Sequence, residues 1–557
     1  MRKVFPLNTP FLSRNTYIFL FSLFVLVYFI GLFVPLIDND SAHHASIALH
    51  MYLTGDYVSL IDQSGDYLDK PHLLFWLCAF SYKIFGVTGF AYKFPSFLFT
   101  LLGIYSTYRL GKKLYNKETG KLSALLIASS FAFILSNNDV RMDAILTSCI
   151  AFATWQLMAF ILDKKMLNVA GAALGLALGF STKGHIAVFV PAVAALFYIL
   201  FRKDWKLLLS WKWLLLLALF GLFISPVVYS YYLQYNLHSE KIVRGKDHIN
   251  GVKFILLNQS VERFSGGMGS DAKNDYLFFL HSFLWAFAPW SILTYIAVAG
   301  RIRYFLQRRE EWATTACFLI VALIVSLSGF KLPHYLNVLF PVASVITAVY
   351  VLGRQQQPKT IKPIYTLQLI IALLLLVLAA VINTWAFPVH KTWIVVCIVP
   401  FLAIVFYFIK SPVYSQLQKA VAFSAATMAF VFFLLNSNFY PQLLKYQAGE
   451  RLANITRGKV DPADVYVQPD SYSASYTFYS SSLFKKFDDS LLNHSKKVWL
   501  LTEPGHLEKL KQDGYQTDTL YAAIHFRITK LTLKFVNPST RVNECSEMML
   551  VRVTGKQ

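Results

Sequence analysis

Long apolar runs alternate with short polar breaks over most of the chain, and the runs lack the one-sided periodicity of amphipathic helices packed on a soluble core. Crossing a hydrocarbon layer of about 30 Å takes about 20 helical residues. Runs of this kind fall near 16–37, 90–110, 122–136, 143–163, 167–182, 186–201, 212–233, 276–298, 312–330, 334–353, 363–386, 392–410 and 420–438, which predicts thirteen membrane-spanning helices. The first is too long for a signal-peptide core and lacks a small-residue cleavage site, so it reads as a retained anchor. The stretch 72–88 (HLLFWLCAFSYKIFGVT) is apolar but bounded by Pro71 and Gly86 and interrupted by Lys83. By pattern alone it is either a fourteenth crossing or a helix lying on the surface.

The pattern changes after residue 438. Strand-like runs at Val465–Val467, Val498–Leu501, Leu531–Phe535 and Met548–Val553, with a helical stretch near 505–513, predict a small α/β domain. The expected organisation is an all-α polytopic membrane region over 1–438, whose long loops 38–89 and 234–275 contribute to a site, followed by an α/β domain over 439–557.

Composition agrees with this pattern. Of 557 residues, 56% are hydrophobic and only 15% charged, with mean hydropathy +0.48, which excludes an ordinary soluble domain. The net charge of +22 would by itself suggest nucleic acid as a partner, but its distribution says otherwise. With 72–88 left out of the count, every second loop is basic: Arg2, Lys3 and Arg14; Arg109 to Lys121; Lys164 and Lys165; Arg202 to Lys206; Arg301 to Arg309; Arg354 to Lys362; Lys410 and Lys419. Cytoplasmic loops collect Lys and Arg in this way. The charge therefore predicts thirteen spans, the N-terminus in the cytoplasm and the C-terminus outside, with no nucleic-acid partner. The five cysteines are scattered and form no CxxC site.

On this topology the outer face collects Asp38, Asp40, Asp69, Lys70, Arg141, Asp143, Lys183, His185, Arg263, Lys331, His334 and Tyr335. Ionisable groups at span ends are costly, and carboxylates and cations gathered on one face suit an anionic lipid substrate. Each has a plainer alternative. Asp38 and Asp40 could merely end the first span, Lys70 could snorkel from an interfacial helix, and Asp143 could cap its helix. Lys183 and Lys331 run against the charge rule at an outward end and need partners. His281, within FFLHSFLWAFAPW, reads as a hydrogen-bonded core histidine, and His43 and His44 as metal ligands only on weak grounds.

At these residues the sequence resembles the lipid-linked sugar transferases of the GT-C fold, specifically the bacterial aminoarabinose transferase and protein mannosyltransferase group. The matching pieces run in order: DNDSAHHASIALHMYLTGDYV with Asp40 at its head, the carboxylate-Lys-Pro step Asp69-Lys70-Pro71, Asp143 at an outer span start, Thr182-Lys183-Gly184, ERF at 262–264, Pro289-Trp290, and Ser326, Lys331 and Tyr335. Asp40 is followed by Ser41 where the family usually has Glu, and Asp69 stands where it usually has Glu. The His of the second outer loop that helps bind a metal in aminoarabinose transferases has no equivalent in GGMGSDAKND. Metal dependence is thus open, with Asp69 the candidate ligand.

The resemblance implies a bacterial inner-membrane protein with its C-terminal domain in the periplasm, a donor sugar on polyprenyl phosphate, an acceptor that is lipid A, a protein or a glycan, and direct displacement with inversion. Lys70, Lys183, Arg263 and Lys331 would hold the leaving phosphate, where negative charge grows in the transition state. Asp40 would take or orient the acceptor's proton, with Asp143 and Asp69 as further catalytic carboxylates and Asp38, His334 and Tyr335 as substrate contacts. Two other readings are an oligosaccharide ligase or polymerase of similar shape and a lipid-linked sugar transporter. A transporter predicts internal symmetry and charge spread through the membrane depth, neither of which the sequence shows.

Overall fold

The computed structural model describes residues 10–38, 40–63, 65–259, 261–262, 275–305, 311–468, 471–488 and 498–556. Its first part runs α1 (Arg14–Gly31), α2 (Asp40–Thr54), a two-residue antiparallel ladder β1 (Ile61–Asp62) and β2 (Gly65–Asp66), α3 (Leu73–Phe85), α4 (Gly89–Leu114), the pair α5 (Lys117–Ala128) and α6 (Phe131–Asn138), α7 (Asp143–Asp163), α8 (Met166–Lys183) and α9 (Ile186–Arg202). Helices over Lys212–Tyr231, Phe278–Ala286, Ser291–Arg303, Ala313–Leu327, Phe340–Arg354, Pro358–Val381, Thr392–Lys410 and Gln416–Leu434 follow.

All thirteen apolar runs carry helix. Seven helices among the described residues are long and apolar enough to cross a membrane, and α5 with α6, bent by 55°, makes an eighth. The others are shorter, as at Ile186–Arg202 and Ala313–Leu327, or broken, as between Ala286 and Ser291. The ambiguous stretch 72–88 folds as α3, whose thirteen residues reach only about 20 Å, too short to span. Helix α7 is central, packed on α4, α8 and α9. The approach is close: a Cβ at Gly103 of α4 would lie 2.5 Å from Ser148 Oγ of α7. Small residues at such crossings let backbones meet where lipid supplies no hydrophobic drive.

The tail carries a five-stranded mixed sheet in the order β4-β3-β5-β7-β6, formed by β3 (Val465–Val467), β4 (Lys485–Lys486), β5 (Val498–Thr502), β6 (Tyr515–His525) and β7 (Ser546–Lys556). β3 runs parallel to β4 and β5, while β7 is antiparallel to β5 and β6. A helix over Pro504–Gln512 covers it. The strand expected at 531–535 is instead a helical turn, Leu533–Val536, because Thr532 Oγ1 caps the Phe535 N–H. Only Phe535 of this turn is fully buried, and Leu533 is 89% exposed.

Two clamps join tail and membrane body. Asp38 accepts from the N–H and hydroxyl of Ser475 at 3.1 and 2.6 Å, while Gln447 bridges the Asp38 N–H and the Leu36 carbonyl. Arg541 donates to the Ala386 carbonyl at the outer end of Pro358–Val381 and stacks on Phe387.

Candidate active site

The outer ends of α2, α7 and α8, the segment before α3 and the short helical turn Pro333–Leu339 bring together most of the residues expected from sequence. Asp40 opens α2, and its Oδ2 accepts from Arg141 Nη1 at 2.8 Å, leaving the carboxylate 42% exposed. Arg141 Nε turns to Asp139 Oδ2, also at 2.8 Å. Burial opposes the Arg141 charge, but Asp139, Asp40 and Asp143 outweigh it and keep the guanidinium firmly protonated. Burial lifts Asp139 above the usual carboxylate range against the pull of Arg141.

Asp143 is the first residue of α7 and makes no side-chain cap, so the capping alternative does not hold. Its Oδ1 accepts from Lys183 Nζ at 2.8 Å, and His334 Nε2 stands 3.9 Å from Oδ2. The pair is almost fully enclosed, with side chains 4% and 8% exposed, and the Lys183 ammonium lies 4.8 Å from the centre of the Tyr335 ring. A lysine at an outward end thus has its partner, a carboxylate from the neighbouring helix. Asp143, Lys183, Arg141 and Lys70 all act electrostatically on the His334 imidazole.

Asp69 and Lys70 form an ion pair on the stretch leading into α3. The second long loop holds this stretch from outside. Past Lys212–Tyr231 the helix widens into a π turn over Tyr232–Asn236, a form frequent at functional sites. Tyr231 donates to the Lys70 carbonyl, Tyr235 to the Tyr67 carbonyl, and Gln234 to the Leu60 carbonyl and Asp66. Gln259 donates to the Asp69 carbonyl at 2.8 Å, and its Oε1 lies where a Cβ on Gly184 would come within 2.6 Å. Gly184 has φ +76°, so both space and backbone require glycine after Lys183.

Two cations escaped the sequence reading of roles. Arg141, noted only as outward, ties Asp40 to Asp139. Arg244 stands 3.7 Å from Asp69 Oδ1 and 3.3 Å from Glu262 Oε2, carried there by a loop whose fold no sequence pattern discloses. Asp69 thus faces Lys70 and Arg244 together, an arrangement that does not fit a divalent metal, and no three His, Cys, Asp or Glu side chains converge among the described residues.

The remaining candidates stand apart. Lys331 is buried and donates to the Asp275 carbonyl at 2.8 Å, beside the Tyr276 ring, three and four residues before His334 and Tyr335. Asp38 sits in the clamp to the tail, where burial raises its carboxyl against the hydrogen bonds of Ser475 and Ser473. Arg263 lies outside the described residues. His281 is exposed, not buried, and pairs with Asp275 Oδ2 at 3.0 Å, because its helix turns that face outward. His43 pairs with Asp62 Oδ2 at 3.2 Å.

The model of the dolichyl-phosphate-mannose-protein mannosyltransferase family matches residues 69–230, the stretch from the Asp69-Lys70 step to the end of the seventh span. An uncharacterised protein of Aquifex aeolicus (strain VF5) is 25% identical over 444 residues, 79% of this chain and 81% of its own length. The undecaprenyl phosphate-alpha-4-amino-4-deoxy-L-arabinose arabinosyl transferase 2 of Pseudomonas fluorescens (strain Pf0-1) is 28% identical over 342 residues, 59% of this chain and 58% of that protein. The corresponding transferase of Pseudomonas aeruginosa (strain UCBPP-PA14) is 27% identical over 58% of this chain and 57% of its own. The chain thus spans somewhat less than three-fifths of the arabinosyl transferases it matches. In fold the likeness runs through the whole molecule. The crystal structure of ArnT from Cupriavidus metallidurans bound to undecaprenyl phosphate superposes with a TM-score of 0.73 at 14% identity, covering 98% of this chain and 100% of that one. A multi-pass helical body with a terminal sheet, the chain shares the fold of ArnT over nearly its whole length and is similar in sequence to these sugar transferases.

Proposed function

We propose that the chain transfers a single sugar from a polyprenyl-phosphate donor to an acceptor hydroxyl or phosphate on the periplasmic face, by direct displacement with inversion. The observation that carries this reading is the convergence of Asp40, Asp143, Lys183 and Lys70 around His334 and Arg141 at the outer helix ends. Support for the donor class comes from the undecaprenyl phosphate bound to the Cupriavidus ArnT and named in the Pseudomonas transferases.

As the bond from the anomeric carbon to the phosphate oxygen stretches, charge builds on the leaving phosphate. Lys70, paired with Asp69 on the stretch leading into α3, is our choice to receive it. Lys183 and Lys331, with Arg263, supply further positive charge, and Arg244 joins them beside Asp69. Electrostatic stabilisation of this kind is worth most in a closed, water-poor site. Asp40 presents Oδ1 to the acceptor while Arg141 holds Oδ2. It takes the proton of a hydroxyl acceptor, or positions an acceptor that is already ionised. Asp143 contacts sugar or acceptor through Lys183 and His334. In this reading residues 1–438 form the catalytic body, and 439–557 a periplasmic domain seated on it.

Asp40→Asn should lower transfer by roughly 10²-fold or more while the protein still folds; near-normal transfer removes Asp40 from the mechanism. Lys70→Ala should weaken undecaprenyl phosphate binding by about tenfold, the scale of one lost charge-assisted contact. Unchanged binding sinks its phosphate role.

A further inference from the structure

Between β6 and β7 the tail folds a small knob that has no part in the chemistry described. Its two helical turns, Leu533–Val536 and Arg541–Glu544, are tied together: Arg541 donates to the Phe535 and Val536 carbonyls, and Thr540 to the Lys534 carbonyl. The base of the knob is buried against the membrane body. Phe535 stacks on Phe526 and meets the Tyr446 ring, while Arg541 donates to the Ala386 carbonyl and lies 4.0 Å from the centre of the Phe387 ring. Three apolar side chains stand outside this packing: Leu533 is 89% exposed, Val542 68%, and Leu531 is exposed as well. One exposed leucine needs no explanation, but three on so small a knob need something to cover them.

The place of attachment says what that is. Ala386 and Phe387 belong to the connection between two spans, Pro358–Ala386 and Thr392–Lys410. Only 22% of the apolar stretch of either span is buried within the protein, so the pair stands at the rim of the bundle with lipid on its flank. Trp385 and Trp393, both half-exposed, stand on either side of that connection. Tryptophan at a span end marks the level where hydrocarbon gives way to headgroups. The knob is thus bonded to the bundle at that level and at that rim. Lys530 and Lys534, both exposed, flank its two leucines, and their ammonium groups can reach lipid phosphate while the stems lie along the acyl boundary. Protein interfaces are depleted in lysine, whereas lysine beside leucine is the usual composition of a segment lying in the headgroup layer.

We propose that the knob is a membrane foot for the tail: Leu531, Leu533 and Val542 enter the headgroup layer of the bilayer beside the two rim spans, while the polar turn 537–540 faces water. Lipid then holds the tail in place together with the Asp38 and Arg541 clamps. The proposal rests on the membrane-spanning body and not on the reading of the chemistry.

The test uses the full chain in phospholipid nanodiscs holding one copy each, with Cys397 and Cys545 replaced by alanine; the other three cysteines are buried. Leu533→Cys and Val542→Cys each carry an NBD fluorophore, as does Gln512→Cys, an exposed reference on the helix that covers the sheet. All three positions are exposed, so the labels displace no core side chain. At Leu533 and Val542 the emission should be shifted to the blue, and phospholipid spin-labelled near its headgroup should quench it about twofold or more beyond the quenching at Gln512. Emission at either position as aqueous as at Gln512 overturns the proposal. A blue shift that spin-labelled lipid does not quench overturns it too, and one that appears only in discs holding two copies assigns the knob to a second chain instead.

Discussion

The step after Lys183 shows how tightly single residues fix this site. Gly184 occupies a backbone region that side chains other than glycine rarely adopt, and a methyl group there would press on Gln259 Oε1 at 2.6 Å. The backbone strain alone costs about 1–3 kcal/mol. The clash adds to it by displacing the side chain that holds the Asp69 carbonyl. Gly184→Ala should therefore leave a folded protein whose undecaprenyl phosphate affinity and transfer rate both fall by roughly tenfold, since an ångström of misplacement suffices for that. Parent-like values would show that Gln259 does not position Asp69 and Lys70. Much of this neighbourhood was legible in the sequence: Lys183 sat where the charge rule disfavours it and so demanded a partner. That the partner is Asp143, one helix away, followed from no spacing. Arg141 and Arg244 were harder still, because their roles depend on where a loop turn and an outer strap come to rest, and His281 was misread because aromatic neighbours do not reveal which face of a helix looks out.

The segment from α2 to α3 holds two buried histidines, His44 and His72. His72 is fully buried, donates Nε2–H to the Val58 carbonyl at 2.8 Å, and is pushed down to about 4 by that burial. His44 is driven well below its ordinary value by burial and then by the charges of His43 and Lys70. A histidine kept neutral in the folded state binds fewer protons than in the unfolded chain, whose histidines titrate near about 6.5. Its contribution to stability is complete above that pH and is lost as pH falls from about 6.5 through 4. His72→Gln keeps a donor for Val58 and cannot take up a proton. The variant should lose less thermal stability than the parent between pH 6.5 and 4, read by tryptophan fluorescence in detergent. Parallel pH curves for the two proteins would mean that His72 is not the group responsible. The loop residues here gave no periodic signal, and α3 was ambiguous between crossing and surface until its thirteen residues were seen packed on α2 and α4. In the tail, 531–535 read as a strand because its apolar residues alternate, but a Thr cap outweighs alternation in so short a run.

At the scale of the whole molecule, the excess of 52 basic over 30 acidic residues serves orientation before it serves binding. Arg and Lys crowd one set of loops, and on that side they pair locally, as Lys113 does with Asp163 and Lys164 with Asp204. The opposite ends of α7 and α8 carry Asp143 and Lys183, Asp40 reaches that end through Arg141, and the sheet is clamped to the body through Asp38 and Arg541. Site and tail therefore share one side of the membrane, whichever side it is, because two clamps bind them together. From the charge rule we expect that side to lie outside the cytoplasm. In a Cys545→Ala background, Ser539→Cys on the exposed tail should react with a membrane-impermeant maleimide in intact bacterial spheroplasts. Gln356→Cys, on an exposed loop between the helices ending at Arg354 and starting at Pro358, should react only after the membrane is opened. The reverse pattern would turn the molecule over and put the carboxylates in the cytoplasm. There a nucleotide-activated sugar would become the natural donor, and a lipid-linked one would lose its reason, since polyprenyl carriers are needed where nucleotide sugars are absent.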